Sequence, residues 1–96
     1  MDSLNLLQQF LMAVENDPTI APRHIAVYTA LIVTGTRNPG NRILALRTEL
    51  MRMSAIHSRH TYNCTMRELH TAGYILYEPS YYAGRSRVTL LAISNN

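Results

Sequence analysis

The sequence predicts an α+β domain, mainly helical, with an extra N-terminal helix and a C-terminal β-hairpin. Three observations lead there. Ninety-six residues hold one core and not two, because single cores typically occupy ~100–150 residues. Four segments before residue 73 carry apolar residues at helical intervals, each bounded by helix-capping or helix-breaking residues. Beyond residue 73, two runs rich in Tyr, Ile, Val and Leu are separated by turn formers. The 47% hydrophobic content against 16% charged residues is that of a globular chain rather than a disordered one.

The first helix spans residues 3–16, with Ser3 expected as its N-cap. Leu4, Leu7, Leu11 and Val14 form its stripe, and Leu6, Phe10 and Ala13 widen it. Asp17 and Pro18 end this helix, and Pro22 opens the second, over residues 23–33. Ile25, Tyr28, Leu31 and Ile32 are its inward positions, and Gly35 is expected to stop it. Residues 35–41 concentrate turn formers and read as an exposed loop. A short strand over residues 42–46 follows, with Ile43 and Leu44 its best β-formers. Thr48 is expected to cap a short third helix that turns Leu50 and Met53 inward and ends near Ser54 and Ala55.

Ser58 is the expected N-cap of the fourth helix, which ends at Gly73. Its inward positions Tyr62, Met66 and Leu69 fall at i, i+4 and i+7. Residues 74–78 and 87–93 then read as the two strands of a hairpin, whose tip over residues 79–84 is polar and aromatic. The chain divides accordingly into an N-terminal helix over residues 1–17, a candidate dimerisation element, and a main domain over residues 22–96.

The charge distribution narrows the function. The net charge is +3, yet residues 1–22 carry Asp2, Glu15 and Asp17 with no base. Residues 23–96 carry all nine Arg against Glu49, Glu68 and Glu78, a local balance of +6, and the chain has no Lys. Arg presents a rigid fork that suits phosphates and guanine edges, so an all-Arg basic segment favours a polyanionic partner; biased codon usage would give the same composition. No apolar run approaches the ~20 residues of a membrane-spanning helix, and Asp2 stands where a secretory signal carries positive charge. The expectation is a soluble cytoplasmic protein without a membrane partner. The single Cys64 excludes an internal disulfide and a multi-cysteine zinc site.

The segment Arg47-Thr48-Glu49-Leu50-Met51-Arg52-Met53-Ser54-Ala55-Ile56-His57-Ser58-Arg59-His60-Thr61-Tyr62 continues into Met66-Arg67-Glu68-Leu69-His70-Thr71-Ala72-Gly73-Tyr74-Ile75. Together these resemble the helix-turn-helix of bacterial winged-helix DNA-binding proteins. Thr-Glu-Leu opens the supporting helix, Ser-Arg precedes the recognition helix, and Leu-x-x-Ala-Gly joins that helix to the wing. The resemblance covers roughly residues 23–93. It implies a winged helix-turn-helix, with a recognition helix at about 58–72 in the major groove and a wing at about 79–87 on the minor groove or the backbone. It further implies a small transcriptional regulator of double-stranded DNA.

The residues carry that reading on their own chemistry. Opposite Tyr62, Met66 and Leu69, the fourth helix presents Arg59, His60, Asn63, Cys64 and Arg67, with Thr71 a further candidate in the row. Arg pairs with guanine O6 and N7, and Asn with adenine N6 and N7. Ser58 and Thr61, with the free N–H groups at the helix start, suit phosphate oxygens, and Thr48 stands at the corresponding place on the supporting helix. Arg85 and Arg87 flank the hairpin tip, where Arg enters a minor groove or follows phosphates; at least one of the two could instead lie along the sheet and pair with Glu78, and Arg85 is the favoured contact. An ordinary solvated helix face and polar hairpin would show similar residues.

Other chemistry is set aside. His57, His60 and Cys64 fall at i, i+3 and i+7, but a structural zinc site takes four ligands and His57 precedes the helix. A Cys nucleophile needs a positioned base in a cleft, which so small a domain has little room to build. No phosphate-binding Gly-rich loop and no paired-carboxylate motif is present. The chain is therefore expected to be a non-enzyme without a cofactor, and to form a homodimer because operators are commonly two half-sites. The alternative is a winged-helix protein–protein interaction or accessory module of a replication or mobile-element complex.

Overall fold

The computed structural model describes residues 2–36, 42–79 and 84–93. Expectations for loop residues 37–41, with Arg37 among them, and for the hairpin tip at residues 80–83, with Tyr81 and Tyr82, lie outside the described residues.

Helix α2 (Pro22–Gly35) is the element on which the others pack: α1 (Ser3–Val14), α3 (Arg47–Met53), α4 (Arg59–Thr71) and strand β1 (Arg42–Leu46) all touch it. Its Val27, Tyr28, Ala30, Leu31 and Ile32 are buried, so the stripe expected from the sequence is present and wider. Gly35 does not stop the helix; it is the last helical residue, buried and right-handed, and Thr36 is the C-cap. Strands β2 (Ile75–Pro79) and β3 (Arg85–Leu90) complete a three-stranded antiparallel sheet of order β1-β3-β2. Ile43, Ala45, Ile75, Ser86, Val88 and Leu90 face the helices, as the period of two requires.

Helix α1 departs from expectation in two respects. Asp2, not Ser3, is its N-cap, the Asp2 carboxylate accepting the Asn5 N–H at 3.1 Å. A carboxylate satisfies the free N–H and also meets the positive end of the helix dipole. The buried stripe is centred on Leu6 and Phe10, while Leu4 and Leu11 are exposed. The cause is aromatic: the Phe10 ring stacks on Tyr28 at 3.8 Å between centroids and meets Tyr74 edge-on at 5.0 Å. The Tyr74 hydroxyl donates to Asp17 Oδ2 at 2.7 Å, tying the end of α1 to the end of α4. Burial, and then Asp17, pushes the Tyr74 phenol up to about 12. Hydrogen bonds from Thr19, and then Tyr74, hold the Asp17 carboxyl below its usual range.

The helices that carry the candidate site are set by their ends. Thr48 is not the cap of α3, which begins one residue earlier directly from β1. The reason is the sheet: Leu46 still pairs with Arg85, and the Arg47 N–H donates to the Gly84 carbonyl at 2.9 Å, so no side-chain cap is needed there. At the other end of α3 the Ala55 N–H bonds to Arg52 O and the Ile56 N–H to Met51 O, the paired bonds of a left-handed helix stop. Ala55 takes φ +58° there, a conformation natural to glycine. Ala55→Gly should therefore raise the unfolding free energy by roughly 0.5–1 kcal/mol. Urea unfolding measures it, and a lowered midpoint would contradict this backbone geometry.

Candidate nucleic-acid interface

Helix α4 begins as expected. The Ser58 hydroxyl accepts the Thr61 N–H at 3.2 Å, and Tyr62, Thr65, Met66 and Leu69 are buried against α2 and the sheet. It ends in the glycine stop anticipated at Gly73, whose φ is +87°. The Gly73 N–H bonds to His70 O and the Tyr74 N–H to Leu69 O. A further tie, unanticipated in the sequence, runs from the Tyr77 N–H to His70 Nδ1 at 3.0 Å and holds α4 to β2.

The candidate residues divide into groups. Ser58, Arg59, His60 and Arg67 are exposed on α4, and Thr61, Asn63 and Cys64 are half-buried. Thr48 is exposed on the first turn of α3. The Cys64 Sγ lies 3.6 Å from His60 Nε2, and among the described residues no group of three His, Cys, Asp or Glu is placed to hold a metal ion. Asn63 and Arg67 are brought beside the hairpin, where they share a recess of about 170 Å³ with Arg47, Tyr77, Gly84 and Ser86. Arg85 and Arg87 are not in this group. They lie on the sheet face turned away from the helices, Arg87 directly opposite Glu78 on β2 and Leu44 on β1.

The acid on α4 is neutralised from the other side. Glu68 Oε1 accepts from Arg23 Nη2 at 2.9 Å and from His24 Nε2 at 3.1 Å, and these bonds, Arg23 first, hold its carboxyl below the usual range. His24 is fully buried, and its Nδ1 accepts the Ala21 N–H at 2.8 Å, so the ring proton of the neutral form sits on Nε2 and points to Glu68. The polar row of α4 is thus left without an uncompensated negative charge.

Arg47 is the residue that sequence reasoning passed over, although it opens the helix-turn-helix segment. A Cβ on Gly84 would stand 3.1 Å from the Arg47 Cζ, which places the guanidinium directly beneath the hairpin backbone. Gly84 has φ +68° as well, so backbone conformation favours glycine there, and a Cβ would press on the guanidinium by a few tenths of an ångström. Burial holds the Tyr62 phenol well above its usual range, Tyr77 adds to this, and the positive charge of Arg47 opposes it. The only sequence signal for Arg47 was its position immediately after a strand.

No helix among the described residues is long and apolar enough to cross a membrane. No family model, curated protein or solved structure matches the chain.

Proposed function

We propose that the chain is a winged-helix domain that binds double-stranded DNA sequence-specifically, as a small transcriptional regulator. In this reading α4 enters the major groove and the β2–β3 hairpin lies on the minor groove or the backbone. One observation carries it: Asn63 and Arg67 of α4, Arg47 of α3, and Gly84 and Ser86 of the hairpin border one recess, so reading helix and hairpin base adjoin, the positive charge there coming from Arg47 and Arg67. The order α2-β1-α3-α4-β2-β3, with β3 central in the sheet, supports the winged-helix assignment. The exposed Leu4, Leu11 and Met12 of α1 support a homodimer matched to two half-sites.

Asn63 is the base reader whose removal is most informative. Asn63→Ala should cost about 1–3 kcal/mol on a duplex selected from a random library and little on a scrambled duplex. The titration, repeated at several salt concentrations, should show log K of the wild type falling linearly with log salt, by about 0.9 per phosphate neutralised. Sedimentation of the same samples fixes the stoichiometry, and a monomer at every concentration removes the dimer. If the wild type has no salt-dependent affinity for any duplex, the reading fails. The interaction-module reading then stands, favoured by Leu44 and Leu76, which are 56% and 40% exposed on the outer sheet face.

A further inference from the structure

Arg47 and Arg67 both line the recess between α4 and the hairpin, and among the described residues no acidic residue lines it. Arg47 is half-buried, yet its guanidinium has no hydrogen-bond acceptor among the described residues. Five N–H donors are therefore partly withdrawn from water without an acceptor among the described residues, which is costly for a cation and favours an anion. The Gly84 backbone lies over that guanidinium, and the Arg47 N–H is itself bonded to Gly84 O, so the stem of the side chain starts from an anchored backbone. A donor fork confined before its ligand arrives loses less entropy on binding. The site adjoins Asn63 on the helix proposed to enter the groove.

We infer that Arg47, joined by Arg67, forms a seat for one phosphate group at the base of the hairpin, and that its natural occupant is a backbone phosphodiester of the bound duplex. The inference rests on the DNA-binding reading and refines it. Arg67, which the sequence assigns to base edges, acts here with Arg47 on the backbone, and Asn63 is left as the reader. The seat anchors the duplex against the junction of β1, α4 and the hairpin, and so sets how deeply α4 enters the groove.

The test compares wild type, Arg47→Ala, Arg47→Lys and Arg67→Ala on the selected and the scrambled duplex over a range of salt. Arg47→Ala and Arg67→Ala should each weaken both duplexes alike, by about ten- to a hundredfold, and lower the salt slope by about one. Arg47→Lys keeps the charge and should restore the slope while recovering only part of the affinity. A duplex in which successive phosphates are replaced singly by neutral methylphosphonates should contain one position per half-site that weakens wild type but leaves Arg47→Ala unchanged. Thermal unfolding accompanies each variant, and the Lys variant reports on the seat even if Arg47→Ala folds poorly.

Wild-type binding with an unchanged slope in Arg47→Ala and Arg47→Lys overturns the seat while sparing DNA binding. Loss on the selected duplex alone overturns it too, since Arg47 would then read a base. Inorganic phosphate, compared with chloride at equal ionic strength, separates the sources. Weak competition with the duplex is expected. Saturation of the Gly84 amide resonance by free phosphate, in a protein that binds no duplex, would overturn the backbone as occupant and with it the DNA reading.

Discussion

Replacing Phe10 by Ala should destabilise the protein by about 3–5 kcal/mol, the range for removing a fully buried aromatic ring. Phe10 is 0% exposed and lies between Tyr28 of α2 and Tyr74 at the α4–β2 junction, so its loss opens a cavity where three parts of the chain meet. The stacked and edge-on ring pairs each contribute roughly 0.5–1.5 kcal/mol beyond area burial, which moves the expected value to the upper part of the range. A domain of this length is stable by only about 5–15 kcal/mol, so the melting temperature should fall by well over 10 °C. Leu4, 75% exposed on the same helix, is the matched control: Leu4→Ala should stay within about 0.5 kcal/mol of wild type. Equal stability of the two variants would mean that α1 is a detachable arm and not part of the core.

The second large effect is expected at Leu69, which is fully buried on α4 where that helix meets the sheet. Leu69→Ala should cost about 2–5 kcal/mol. Gly73→Val is the informative comparison. The sequence suggests comparable harm at both positions, but a Cβ on Gly73 would meet nothing within 4 Å. Its cost is therefore conformational only, about 1–2 kcal/mol for a side chain forced to φ +87°. Chemical denaturation of the two variants should rank Leu69→Ala as the more harmful. Wild-type stability in Leu69→Ala would mean that α4 faces the other way, and the outward assignment of Asn63 and Arg67 would fall with it.

How far the sequence could be read depended on how much each segment restricts itself. In α4 the apolar positions are few and sharply spaced, so only one face could be buried, and Tyr62, Met66 and Leu69 occupy it. Ser58 and Gly73 have side-chain and backbone properties that suit the two ends of a helix, and both were legible for that reason. Helix α1 is the opposite case. Leu4, Leu6, Leu7, Phe10, Leu11, Met12, Ala13 and Val14 surround much of its circumference, so several faces would have served, and the rings of Tyr28 and Tyr74 made the choice. The end of α3 near Ser54 and Ala55 was legible as well, but the left-handed conformation of Ala55 was not, because no glycine marks it.

By itself the sequence determined the α+β class, the order of helices and hairpin, the inward face of α4 and the basic character of everything beyond residue 22. These follow from periodicity, capping and charge, which act over a few neighbouring residues. Only the tertiary structure decided which face of α1 is buried, that Glu68 is neutralised by Arg23 and His24, and that Arg47 lies beneath Gly84 in one recess with Asn63 and Arg67. Each of those pairings joins residues far apart in the chain. They are set by strand register and by the packing of helices on α2, and local sequence pattern carries no record of which distant partner a surface will meet.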